Sequence, residues 1–401
     1  MSWKGVTIID QRVRFISEYL NGYFSVSELC RQFDISRKTG YKWINRYKKY
    51  GAEGLIEKSA KPHSCPHKTN PAIVKAIITQ RKKHPTWGPK KLLHKISLRQ
   101  PQWSLPAIST AAAILRKEGL VIQGKRRLRR KHPGCPTGIA KAPNDTWTVD
   151  YKGQFKMKNG KYCYPLTVCD MYSRYLLGCD AHDSVSLRDT KSHFIDLFRT
   201  FGLPKRIRSD NGVPFASSAL ARLSSLSVWW IKHGIYPELI EPGQPQQNGK
   251  HERMHRTLKK EATIPPKQNL KKQQKALDEF RMEYNEIRPH EALNMDTPAD
   301  IYQISSRKMP QKIGRYDYPS HFEVRLVSSN CGIRWNNSRV NVSSTLIKEY
   351  IGFEELDDGI HNVYFCDFLI GRFFEEILKI KDVISRVPTR PRQNKKCNPC
   401  T

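Results

Sequence analysis

Apolar positions fall into three textures along the 401 residues: helical spacing first, strand alternation in the middle, and alternation again near the end. Up to about Leu55, Val26, Leu29 and Phe33 recur at helical intervals, a break follows at Asp34-Ile35, and Ser36 stands where an N-cap belongs. The helix it opens, over 37–49, carries Tyr41, Trp43, Ile44 and Tyr47. A short break between two short helices is helix-turn-helix spacing. Arg37, Lys38, Lys42, Asn45 and Arg46 on the second helix suit a recognition helix in the major groove. The bland alternative is a helical hairpin with a solvated basic face. A second helical block runs over 71–121: Ile73, Val74, Ile77 and Ile78 mark one helix, and Trp87-Gly88-Pro89 opens another with Leu92, Leu93 and Ile96. A third is expected over 104–118, stopped by Gly119. This block reads as a second helix-turn-helix.

From Trp147 the period changes to two. Strands are expected at 146–151, 162–170 and 175–180, with the turn Lys158-Asn159-Gly160-Lys161 between the first two. A helix over 187–201, a strand at 205–209, a helix over 219–233, a strand at 235–238 and a long helix from about Gln246 follow. Hairpin strands followed by alternating helices and strands make a mixed, five-stranded α/β sheet. Beyond about Phe322 the runs 323–327, 339–342, 363–368 and 369–374 are β-rich, as in a small barrel or sandwich. The fold class is therefore multidomain: all-α helix-turn-helix modules at 1–60 and 68–122, a basic linker at 123–143, an α/β core at 144–305, a small β domain at 318–384 and a basic, disordered tail at 385–401. No fixed-period repeat is visible.

Charge sharpens this picture. Lys and Arg number 70 against 37 Asp and Glu, a net charge of +33. Such a surface suits a polyanion, because phosphate contacts release condensed counterions. An anionic membrane would also attract it, but there is no run of 18 apolar residues and no signal-peptide core at the N-terminus. The expected partner is double-stranded DNA, with no membrane, in a cytoplasmic, nucleoid-associated setting. In the linker, Lys125, Arg126, Arg127, Arg129 and Arg130 form a phosphate-binding run. The ten cysteines read as reduced thiols. Cys397 and Cys400 lack a second pair, and His63, Cys65 and His67 lack a fourth ligand, so no zinc site is expected.

Three acids stand out by position. Asp150 ends a strand-like run where a carboxylate is costly unless paired or metal-bound. Asp210 follows a short strand, at the kind of sheet edge where sites collect. Glu252 lies early in a helix, with His255, Arg256 and Lys259 expected on its face to meet the DNA backbone. Hard divalent cations take oxygen ligands, and two such ions can activate the attacking oxygen and stabilise the leaving one. The same acids also have plain readings: a strand end, an Asp-Asn-Gly turn, and a glutamate favoured by the helix dipole.

The runs Thr146-Trp147-Thr148-Val149-Asp150, Ser209-Asp210-Asn211-Gly212-Val213-Pro214-Phe215 and PGQPQQNGKHERMHRTLKKE at 242–261 resemble the integrase catalytic core of bacterial insertion-sequence transposases, relatives of retroviral integrases. RPHEALNMDTPADIY at 288–302 resembles the close of that core. The resemblance spans about 144–302. It implies an RNase H-like fold with Asp150, Asp210 and Glu252 as catalytic and metal-binding residues for Mg²⁺ or Mn²⁺, two ions being expected. It also implies nicking at element ends and attack of the freed 3′ hydroxyl on target DNA. Lys259 matches a DNA-contacting lysine, while Asn211, Gly212, Gln247 and Asn248 match positions that shape the site. The 41 residues between Asp210 and Glu252 exceed the retroviral-type spacing, the surplus being expected around 220–233. Glu241 is the rival third acid, placed in a loop before Pro242-Gly243. The zinc-binding module of retroviral integrases is replaced by helix-turn-helix segments. Joining two ends calls for a homodimer or higher oligomer. A catalytically inactive DNA-binding regulator and an RNase H-like nuclease share much of this pattern, but retention of all three acids and Lys259 favours the transposase.

Overall fold

The computed structural model describes residues 7–57, 68–121, 140–241 and 244–382. They divide into two compact units between Thr69 and Asn70. In the first, Thr7, Ser25 and Ser36 each accept a hydrogen bond from the backbone N–H three residues on. They thereby start α1 (Ile8–Asn21), α2 (Val26–Gln32) and α3 (Arg37–Tyr50). Phe15, Ile16, Leu29, Cys30, Trp43 and Ile44 meet in the middle, closed by Leu55 from the 3₁₀ turn Gly51–Leu55. Gly40 lies where α3 passes α2, and a Cβ there would collide with Cys30 Sγ.

The second unit begins with α4 (Pro71–Lys83), α5 (Pro89–Arg99) and α6 (Ile108–Lys117). The third helix starts four residues later than the pattern predicts, after an extended stretch ending at Ala107. These helices surround Trp87, Ile77 and Leu92, and Ile287 from the central core packs against the same cluster. His84 bonds Glu283 at 2.7 Å, Lys90 meets Glu291 at 3.6 Å, and Thr86 shares the Glu261 carboxylate with Arg288. The block is thus docked on the core.

The central sheet contains β1 (Thr146–Tyr151), β2 (Phe155–Lys156), β3 (Tyr162–Asp170), β4 (Leu176–His182), β5 (Arg206–Ser209) and β6 (Tyr236–Leu239). Its order is β4-β3-β1-β5-β6, with β1, β5 and β6 parallel and β3 and β4 antiparallel. The five expected strands are joined by the two-residue β2, which pairs with β3. Alternation in β1 explains the layers. Trp147 and Val149 point to a cluster with Phe194 and Phe198 of α7 (Leu187–Phe201) and Trp230 of α8 (Ser225–Lys232). The opposite face carries α9 (Gly249–Leu258) and α10 (Leu270–Met282), where Met254, Leu258, Leu277 and Phe280 cover Cys169, Leu176 and Cys179. Both helices run on into π turns, Lys259–Thr263 and Glu283–Ile287, which carry the docking residues Glu261 and Glu283. The short α11 (Pro298–Ile301) closes the core.

The single helix expected over 219–233 is broken. Ala221 and Arg222 take positive φ in a 3₁₀ turn, and Ser224 caps α8 afresh. The reason lies in packing: Leu220, Leu223, Val228 and Ile231 belong to the apolar cluster of the C-terminal β segment. That segment holds β7 (Glu323–Leu326), β8 (Gly332–Trp335), β9 (Ser338–Asn341), β10 (Tyr350–Asp357), β11 (Ile360–Phe365), β12 (Phe368–Phe374) and β13 (Lys379–Asp382). A five-stranded antiparallel sheet, β13-β12-β11-β10-β7, faces the β8–β9 hairpin, whose Trp335 packs on Phe353 and Phe373. Strand β11 stops at Phe365 because Cys366 takes φ 51° in a turn. The surplus chain between Asp210 and Glu252 therefore supplies the surface on which this segment docks.

Candidate active site

Register brings the first two acids together. Thr148 of β1 lies opposite Arg208 of the parallel β5, so Asp150 and Asp210, each two residues further, emerge at the same sheet edge. Glu252 is exposed in the first turn of α9, which lies over the Asp150 face. Asp150 feels both neighbours: burial first, then Asp210, pushes its carboxyl up to about 7, with Glu252 adding to the rise and Lys152 opposing it. Glu241 follows β6 in a loop, its N–H donating to Gln247 Oε1 at 2.8 Å. Among the described residues no three His, Cys, Asp or Glu are closed into a ready metal cage. The three carboxylates are hard oxygen donors whose mutual repulsion a cation would relieve, so their chemistry fits Mg²⁺ or Mn²⁺.

The loops around these acids are tightly held. The Asp210 carboxylate accepts the Gly212 N–H at 3.1 Å, and a Cβ on Gly212 would crowd that carboxylate at 3.2 Å. Asn211 Nδ2 donates to the Ile240 carbonyl at 2.8 Å. Gln247 and Asn248 are buried just before α9, and Gln247 Nε2 and Asn248 Oδ1 have no hydrogen-bond partner among the described residues. Arg208, 1% exposed, bonds Glu238 at 2.8 Å and reaches the Gln247 carbonyl at 3.3 Å.

One expected DNA contact is corrected, and a second is held by its own unit. His255 is buried with its Nδ1 3.6 Å from Asp150 Oδ2, because its position on α9 faces the sheet; of the expected contacts here, Arg256 and Lys259 are exposed. Arg46 folds back to donate to the Ile56 carbonyl and cover Trp43, whereas Arg37, Lys38, Lys42 and Asn45 are exposed on α3 with Tyr41 among them. Lys125, Arg126, Arg127, Arg129 and Arg130, like Cys397, Cys400 and the His63–His67 cluster, lie outside the described residues. Sequence reasoning passed over His251, Thr148, Thr167 and Arg208; the i, i+4 spacing of His251 and His255 was the available signal.

The segment that builds this mixed sheet and its flanking helices is the one that family models described as "Integrase core domain" match, over residues 140–245 and 233–298. A "Helix-turn-helix domain" model matches 11–63 and a "Homeodomain-like domain" model 39–130. The chain thus carries a segment similar to an integrase core after segments similar to helix-turn-helix domains. It is 28% identical over 194 residues to the insertion element IS407 uncharacterized 31.7 kDa protein of Burkholderia multivorans, covering 47% of this chain and 66% of that protein. It is 30% identical over 161 residues to the insertion element IS476 uncharacterized 39.2 kDa protein of Xanthomonas euvesicatoria, covering 40% and 44% respectively. The chain therefore spans less than two thirds of either relative. Among solved structures, the HTLV-2 integrase catalytic core domain in complex with magnesium is 18% identical, with a TM-score of 0.33, over 41% of this chain and 100% of that one. No helix among the described residues is long and apolar enough to cross a membrane.

Proposed function

We propose that the protein is a DNA transposase that binds the ends of a mobile element, cleaves phosphodiesters there and joins the 3′ ends to target DNA. The observation that carries this reading is the parallel pairing of β1 and β5, which brings Asp150 and Asp210 to one sheet edge beneath α9, the helix that bears Glu252. Asp150, Asp210 and Glu252 would hold Mg²⁺ or Mn²⁺, two ions in all; bound there, the metal supplies charge for the attacking and leaving oxygens of a phosphodiester. The chain's own groups orient the rest. Gly212 leaves room beside the Asp210 carboxylate, and Arg208 tethers the Gln247 carbonyl at the approach to α9. Arg256 and Lys259, exposed on and just after α9, meet the DNA backbone beside Glu252. Arg37, Lys38, Lys42 and Asn45 on α3 face the element end, and the run from Lys125 to Arg130 adds phosphate contacts. Two ends joined together call for a dimer or higher oligomer.

Replacing Asp150→Asn is expected to abolish metal-dependent nicking and strand transfer while end binding, read by mobility shift, stays close to wild type. Joining that persists in this variant rejects the assignment of the triad. Wild-type protein that binds ends but never cuts them would favour a regulator that has lost catalysis.

A further inference from the structure

Beneath the acids lies a buried polar cluster that contributes no carboxylate. Thr148 from β1 and Thr167 from β3 point toward α9 and meet His251 and His255, one turn apart on that helix. The two rings are 1% and 7% exposed. Thr167 is the cross-strand partner of Asp150, and its hydroxyl donates to the Asp150 carbonyl at 2.9 Å. A hydroxyl has one proton, so the contacts at 2.7 Å with Nε2 of both histidines must be accepted by Thr167. Each ring therefore carries its proton on Nε2. His251 Nδ1 is then an acceptor, and Thr148 donates to it at 2.7 Å in preference to the Cys169 carbonyl at 3.3 Å. His255 Nδ1 is left as a bare lone pair 3.6 Å from Asp150 Oδ2. With Thr167 donating to the Asp150 carbonyl, this arrangement of protons joins both threonines to both rings, and it sets a hydrogen-bond acceptor beside the first acid.

We propose that Thr148, His251, Thr167 and His255 form a positioning latch. They fix α9 against β1 and β3, so that Glu252 is held opposite Asp150, and they orient His255 as an acceptor toward the cation site. Thr167 is the hub, because it holds the Asp150 backbone and both rings at once. The inference rests on the metal-binding reading above. Its basis is that partners of metal ligands fix ligand orientation, and their loss commonly weakens metal affinity by about 10- to 100-fold.

The test uses full-length protein and Mn²⁺ alone, with affinity read by calorimetry. Thr167→Val is expected to weaken Mn²⁺ binding about 10- to 100-fold, and Thr167→Ser, which keeps the hydroxyl, to restore it. A folded Thr167→Val protein with wild-type Mn²⁺ affinity overturns the latch. Should that variant not fold, ¹⁵N spectra of histidine-labelled wild-type protein decide: neutral Nε2–H forms are expected for His251 and His255, and an Nδ1–H form of His255 overturns the proposal. Failure of the metal reading shows separately, as unchanged Mn²⁺ affinity in Asp150→Asn.

Discussion

Glu238→Ala probes the buried charge next to the site. Arg208 is 1% exposed in β5, two residues before Asp210, and Glu238 is its register partner on β6 at 2.8 Å. Removing one member of a buried pair commonly costs about 3–5 kcal/mol, because the other charge stays desolvated. The Glu238 side chain is 18% exposed and Arg208 keeps the Gln247 carbonyl at 3.3 Å, so water and a residual acceptor soften the loss. We expect the low end, about 3 kcal/mol, or roughly a hundredfold in the folded-to-unfolded ratio. Urea unfolding followed by tryptophan fluorescence reads this as a lower midpoint at unchanged slope. The double variant Arg208→Met with Glu238→Leu should recover most of the stability, since apolar groups of similar size replace such pairs at little cost. It should not recover strand transfer, because the tether to Gln247 ahead of α9 is gone. A Glu238→Ala loss below about 1 kcal/mol would refute the reasoning, since the charge would then be adequately solvated.

Further outcomes follow from single contacts. Gly40→Ala places a Cβ against Cys30 Sγ, and such overpacking costs about 1–3 kcal/mol; DNA-end binding should fall, with partial rescue by Cys30→Ala, and a Gly40→Ala protein that melts and binds as wild type would contradict the close crossing. His290 is 6% exposed, and burial first, then Lys91, Arg288 and Arg174, pushes its pKa down from 6.5 to about 3. The ring is neutral when folded and takes up a proton on unfolding, so its contribution is complete above pH 6.5 and is lost progressively as pH falls toward 3. At pH 5 the loss is about 2 kcal/mol; His290→Asn should flatten that acid limb in pH-dependent melts, and an unchanged limb would count against it. With a net charge of +33, DNA affinity should fall steeply with salt, and a flat titration would remove the argument from charge.

What the sequence determined by itself is whatever depends on neighbours along the chain. Ser36 caps α3 where a serine precedes a helical pattern, and the amphipathic stretch 187–201 forms a helix with those bounds. The run Thr146–Tyr151 marks the strand at whose end Asp150 stands. Motif order made the integrase core legible for the same reason. Tertiary structure decided everything that depends on which face is covered. His255 and Arg256 are adjacent on α9, yet one is buried against β3 and the other exposed, because only the sheet picks the helix face. Arg46 is basic and helical like Lys42, but the chain just after the 3₁₀ turn offers its guanidinium a carbonyl, and Arg46 is half-buried where Lys42 is exposed. The chain between Asp210 and Glu252 looked like surplus until the β segment was packed against Leu223 and Ile231. Glu252 acts on the Asp150 carboxyl because α9 packs on the face of β1 that Thr148 shares with Asp150. Burial and charge coupling are properties of the assembled layers, and a carboxylate's pKa, unlike a helix cap, has no local spelling.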